Sequence, residues 1–280
     1  MLAVNFVVAI LLNSVALALG SEETADTDNV RIHVIESPYQ RKPTTLRVLL
    51  PDNVQPNERC RVLFLLPVHE DGLFKHGDGL REVRKLDVHN KHQLICVAPA
   101  FTSKPWYADH DLNPAKLDES HLLRTVIPFV ELNYPVRAND TARLLLGFSK
   151  SGWGAMTLLL RHPDKFARAV AWDPGIRIDT GPFEDDSDQE FRIRRDFGSD
   201  ANFERFRVSS LIKTRGKELG DSVRLFYFNR EGHQRTQGGE KIRKHLRQQQ
   251  VPHHYVMDRH REHRWDSGWL PQAIEFLVSD

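Results

Sequence analysis

The run Leu144-Leu145-Leu146-Gly147-Phe148-Ser149-Lys150-Ser151-Gly152-Trp153-Gly154-Ala155 reads as a buried strand, a tight turn centred on a serine, and the start of a helix. A serine at such a turn projects its hydroxyl from a sheet edge, and the amides after it point toward any oxyanion formed at the helix N-terminus. The turn demands small neighbours, because the helix must approach the strand closely. The spacing departs once from Gly-x-Ser-x-Gly: Ser151 holds the last glycine position, with Gly152 and Gly154 just beyond. On spacing alone Ser149 is also compatible with a helix N-cap. Its position after the fifth strand of an alternating chain favours a nucleophile.

Working outward, strand-like runs at 30–36, 45–50, 62–66, 94–98, 143–146, 167–172 and 223–228 are separated by helical patterns, clearest at 119–132 and 152–161. Continuous apolar runs such as Val62-Leu63-Phe64-Leu65-Leu66 suit strands covered on both faces, so the expected fold is α/β, a mostly parallel sheet flanked by helices. Residues 175–222 break the rhythm, with Glu184-Asp185-Asp186-Ser187-Asp188 ahead of Arg192, Arg194 and Arg195. This stretch reads either as an excursion over the carboxyl edge of the sheet, a lid or substrate wall, or as a solvated surface insertion.

The chain has 280 residues, 40% hydrophobic and 28% charged, with a formal charge of +1. That supports one sizeable core and gives no field pointing to nucleic acid or an anionic membrane. Val4 to Leu19 is nearly unbroken apolar sequence, and Ala18 and Gly20 precede a polar stretch from Ser21. Residues 1–20 are therefore expected to be a signal peptide cleaved before Ser21, leaving a single exported domain over 21–280 without a stable membrane span. The lack of Lys or Arg ahead of the apolar run leaves an uncleaved anchor as the alternative. Cys60 and Cys96 permit at most one bridge; both sit at or within β-like runs, where free buried thiols are equally expected.

The segment from Leu144 through Arg161-His162-Pro163-Asp164-Lys165-Phe166 resembles the esterase branch of the α/β-hydrolases that includes esterase D and feruloyl-esterase-like proteins, in which a His-Pro-Asp-x-Phe turn follows the nucleophile helix. The resemblance covers roughly residues 45–278. It implies an α/β-hydrolase fold, hydrolysis of carboxylic esters, and no metal or organic cofactor.

In the Ser, acid, His order of that fold, the base falls between the last strand and the last helix, where His260 and His263 stand. His263 opens His263-Arg264-Trp265-Asp266-Ser267-Gly268-Trp269, similar to the His-x-Trp segment of this branch, and is the expected base. A metal site from His253, His254, His260 and His263 is disfavoured, since their spacing matches no compact ligand pattern. The acid is expected after strand 223–228, where related esterases carry an aspartate in a Gly-x-x-Asp-like turn; here the turn reads Asn229-Arg230-Glu231-Gly232, which makes Glu231 the first candidate. Asp258, Asp266 and Asp173 are the replacements. The oxyanion donors are expected to be the amide of Lys150 and that of Val68 or His69.

The Lys150 charge beside the nucleophile attracts an anionic substrate, favours the oxyanion, or simply reaches solvent. Trp106-Tyr107, Trp153, Trp265 and Trp269 line an acyl or aromatic pocket, or pack in the core. The expected activity is that of an exported serine carboxylic-ester hydrolase acting through an acyl-enzyme on a small-molecule or acylated-saccharide ester. Peptidase or acyltransferase chemistry would use the same residues. The reading from another class is a binding or scaffold protein that keeps the fold without a competent triad, favoured by Ser151 and by the missing aspartate.

Overall fold

The computed structural model describes residues 23–25, 30–55, 57–137, 139, 142–180, 186–231 and 234–279; the expected leader lies outside them. Among the described residues nine strands form one sheet: β1 (Glu23–Ala25), β2 (Arg31–Ile35), β3 (Thr44–Leu49), β4 (Arg61–Leu66), β5 (Leu94–Pro99), β6 (Arg143–Phe148), β7 (Arg168–Trp172), β8 (Leu225–Arg230) and β9 (His253–Asp258). Their order is β1-β2-β3-β5-β4-β6-β7-β8-β9. Pairing is antiparallel from β1 to β5 and parallel from β5 onward.

Sequence explains the parallel part. All of β5, and all of β4 and β6 except their first residues, are buried. Alternate residues feed opposite cores, as the pleat requires. Leu145 and Phe64 join the layer that holds the helix Lys150–Arg161, whereas Leu144, Leu146, Leu63 and Leu65 face the helices Gly79–Lys85 and Leu270–Val278. In Lys150–Arg161, Ser151 through Leu160 are all buried. Each large apolar side chain there contributes about 1.5–3 kcal/mol, which clamps the serine turn between sheet and helix.

Two features depart from expectation. β1 arises from a polar, acidic stretch with no strand signal, and it adds an edge to the sheet. The helical pattern at 119–132 is a helix Asp118–His121, a π segment Leu122–Val126 and a helix Ile127–Asn133.

The excursion between β7 and β8 is not a solvated insertion. It comprises the helices Arg177–Thr180, Asp186–Phe197, Asp200–Phe206 and Val208–Arg215 and a 3₁₀ turn Gly216–Leu219. Ile193, Phe197, Phe203, Phe206, Leu211 and Ile212 from it enter the larger core. Polar ties fix it as well: Asn202 Nδ2 donates to the Asp109 carbonyl at 2.7 Å, and Thr157 Oγ1 to the Phe206 carbonyl at 2.9 Å. Part of its acidic start, residues 184–185, lies outside the described residues. Cys60 and Cys96 are both buried and unbridged. Among the described residues no helix is long and apolar enough to cross a membrane.

Candidate active site

Phe148 of β6 and Trp172 of β7 are register partners, so the residues after them, Ser149 and Asp173, leave the carboxyl edge of the sheet side by side. The Ser149 amide donates to the Trp172 carbonyl at 3.0 Å, and the Asp173 amide to the Phe228 carbonyl at 3.0 Å. Both residues have positive φ, 54° for Ser149 and 39° for Asp173. A side chain held there costs about 1–3 kcal/mol, a strain that persists where the surroundings over-determine it. At Gly147 any Cβ would overlap the Ser151 carbonyl oxygen, which is why the strand residue ahead of the turn is glycine. Ser151, in contrast, is accommodated: its hydroxyl donates to the Phe148 carbonyl at 2.8 Å and lies 3.0 Å from the Phe148 amide that donates to it. The substitution for glycine thus stitches the turn together.

His263 completes the cluster. Its Nε2 lies 2.9 Å from Ser149 Oγ and its Nδ1 lies 2.5 Å from Asp173 Oδ2. The Asp173 carboxylate is 1% exposed and the imidazole 16%, so this contact is shielded while part of the ring remains exposed. Packing fixes the ring: its centroid is 4.4 Å from that of Phe148 and 5.4 Å from that of His76. Behind it Trp172 and Trp269 stack at 5.3 Å, and the Trp265 amide donates to the His76 carbonyl at 3.0 Å. With its proton on Nδ1, His263 donates to the carboxylate and presents Nε2 as the acceptor for the serine hydroxyl. This arrangement can generate a nucleophile and stabilise the imidazolium that results.

The other acid candidates are elsewhere. Glu231, expected first, is exposed and pairs with Arg259 at 2.9 Å. The physical reason is topological: β8 lies beyond β7, and the Glu231 amide follows the strand edge to donate to the Asp258 carbonyl, away from His263. Asp258 is buried but holds its own loop, accepting from the His260 and Arg261 amides and, at 2.9 Å, from the Arg261 guanidinium. Burial works against ionisation there, yet these bonds outweigh it and hold the carboxyl below its usual range. Asp266 pairs with Arg264 at 2.9 Å at the surface. His260 is exposed, and of the two candidate bases only His263 reaches Ser149. The His76 ring, and Arg230 Nε at 3.6 Å from Asp173 Oδ2, carry no sequence signal that marks them for the site.

Two elements flank the serine with backbone donors. The Lys150 amide opens a helix and so has no intrahelical acceptor. On the other side, the Val68 and His69 amides find no acceptor among the described residues, although Val68 is buried. A buried amide left open is costly, so a donor in this position suits an incoming oxyanion. Tyr107, itself at φ 55° and fully buried, donates from its hydroxyl to the Pro67 carbonyl at 2.6 Å. Because carbonyl and amide of one trans peptide point in opposite directions, that bond also fixes the direction of the Val68 N–H. A Cβ on Gly154 would collide with the Tyr107 ring, which explains the glycine one turn into the helix.

The indoles do not form a common pocket. Trp153 and Trp269 are fully buried, and Trp265 is nearly so. Trp106 faces the Lys150 ammonium, 4.5 Å from the ring centre. Opposite, His69 keeps both ring nitrogens buried with no partner among the described residues. Burial first, then the Lys104 and Lys150 cations, push His69 below its ordinary value, against the opposing pull of Glu70.

The family model Putative esterase matches residues 37–275. Among solved structures, an S-formylglutathione hydrolase from Agrobacterium tumefaciens superposes with a TM-score of 0.70 at 15% identity, covering 92% of this chain and 97% of that one. FphF, a fluorophosphonate-binding serine hydrolase of Staphylococcus aureus, gives 0.69 at 17% identity over 93% and 99%. The ferulic acid esterase AmCE1/Fae1A of Anaeromyces mucronatus gives 0.58 at 14% identity over 94% and 90%. Likeness at these identities establishes the α/β-hydrolase architecture. No curated protein matches the chain.

Proposed function

Because the chain belongs to the Putative esterase family and is a carboxylic ester hydrolase, we propose that Ser149, His263 and Asp173 are its catalytic triad. The observation that carries this is the single imidazole bridging serine and carboxylate at 2.9 and 2.5 Å. Ser149 Oγ attacks the ester carbonyl as Nε2 takes its proton. Asp173 holds the Nδ1–H tautomer and stabilises the imidazolium, and the amides of Lys150 and Val68 receive the oxyanion. His263 then returns the proton to the departing alkoxide, leaving an acyl-Ser149 ester. Water activated by the same Nε2 releases the acid.

Rapid mixing with 4-nitrophenyl acetate tests the covalent route. A burst of nitrophenol equal to the enzyme concentration, followed by slower turnover, is the expected result. A folded protein giving neither burst nor turnover would instead be a scaffold with the hydrolase fold.

The substrate is a small or saccharide-borne acyl ester, in keeping with the ferulic acid esterase among the structural relatives. We further propose export, supported by the apolar run Val4 to Leu19 ahead of a polar stretch. N-terminal sequencing of protein from the medium or periplasm is expected to start near Ser21; recovery of intact Met1 in membranes would overturn export by leader cleavage.

A further inference from the structure

Lys150 follows the nucleophile directly, and its side chain lies along protein with only part of it exposed. Its Nζ sits over Trp106, a residue 8% exposed. Trp106 in turn donates from Nε1 to Asp196 at 2.8 Å. That carboxylate is already engaged by Lys116 at 3.1 Å and Arg195 at 2.7 Å. Among the described residues no carboxylate forms an ion pair with Lys150. Lys104, two residues before Trp106, adds another cation, and both it and Lys150 act on His69, with Glu70 opposing them.

The wall formed by the loop around Trp106, the first turn after Ser149 and the helix Asp186–Phe197 brings Lys150, Lys104, Lys116 and Arg195 near Asp196, with Asp118 accepting from the Trp106 amide at 3.1 Å and Asp188 acting on Arg195; Lys116 and Arg195 are paired with Asp196, whereas among the described residues neither Lys150 nor Lys104 forms an ion pair. Burying an ammonium costs free energy, and an aromatic face offsets only part of it. An excess of positive charge held beside a nucleophile is costly in the free enzyme and favourable once an anion arrives. The ammonium is occupied with the indole, and the backbone amides already serve the oxyanion, so the charge is best matched by another part of the substrate.

We propose that the Lys150–Lys104 wall binds an anionic group carried by the substrate, so that the preferred esters bear a carboxylate, sulfate or phosphate close to the scissile carbonyl. This rests on the serine-hydrolase reading above. It also has a pH signature. Burial, reinforced by Lys104, Lys116 and Arg195 and opposed by Asp196, brings the Lys150 ammonium down to about 8. The charge is present below that value and lost above it, so the preference for anions fades as pH rises from 7 to 9.5.

Two ester pairs with the same leaving group that differ in charge provide the test: the 4-nitrophenyl monoesters of adipate and of suberate, each against its methyl-capped diester. At pH 7 at least one pair is expected to favour the anion by about tenfold or more in kcat/KM, the scale of a charge-assisted hydrogen bond. Lys150→Met is expected to bring that ratio to within about twofold of unity, and Lys150→Arg to retain most of it. Each ratio compares two esters on one protein, so a change in folded fraction or in the Lys150 amide cancels. Ratios near unity for both pairs, or a preference that survives in Lys150→Met, would overturn the proposal while Ser149-dependent hydrolysis of the neutral esters left the hydrolase reading standing. If no ester were hydrolysed at all, both would fall.

Discussion

Ser149→Ala lowers kcat for carboxylic esters by at least about a thousandfold, because without Oγ no acyl-enzyme forms and only oxyanion and binding contributions remain. The fold survives the change: Oγ engages His263 at the cleft and supports no core contact. Stability is not expected to rise either, since alanine suffers the same penalty as serine at φ 54°. Ser149→Gly removes that penalty and is expected to be both inactive and more stable by about 1 kcal/mol or more. Steady-state kinetics and thermal melts of the two variants check both halves. An alanine variant with more than a tenth of wild-type kcat would mean that the nucleophile is another residue.

Asp173→Asn is expected to lower kcat by about a hundredfold to ten-thousandfold, while Glu231→Gln stays within about twofold of wild type. An amide at 173 can hold His263 in place, but it offers an N–H where the imidazole needs an acceptor, favouring the tautomer with its proton on Nε2. That tautomer cannot take the serine proton. The neighbouring Arg230, at 3.6 Å from Asp173 Oδ2, would then face an uncharged partner, so some loss of stability accompanies the loss of rate. Glu231 is exposed, and its carboxylate pairs with Arg259. The opposite ranking of the two variants would return the acid to the end of β8.

These two positions show how far sequence reaches. The Ser149 turn is legible because local demands are strong: an apolar strand, a glycine where a Cβ would strike the helix, and small residues at the helix start all lie within a dozen positions. His263 is legible through its place between the last strand and the last helix. The proposed acid, Asp173, is not, because its position depends on which strand end stands next to Ser149. That is a property of strand order and register, and the pairing of Phe148 with Trp172 becomes visible only in the sheet. The clue that exists is an aspartate immediately after a buried parallel strand, in Trp172-Asp173-Pro174-Gly175, and by pattern alone it competes with Glu231, Asp258 and Asp266.

Residues 175–222 teach the same lesson. Charges at Arg192, Arg194 and Arg195 suggest a solvated face, yet Ile193 and Phe197 on the same helix reach the core and Asp196 ties it to Trp106 and Lys116. The helix period accounts for both, since one face can be wholly charged while the other packs. The fate of Trp153 and Trp269 is likewise decided by tertiary packing, and both support the turn and the base from beneath without lining a pocket.

Labelling with a fluorophosphonate probe, followed by peptide mass mapping, tests the central claim most directly, because the reagent requires a serine activated by its histidine and an open oxyanion site. The prediction is one adduct per chain, on Ser149, in the wild-type protein, with labelling abolished in His263→Ala. A folded protein that stays unlabelled, or an adduct on any other serine, would contradict it.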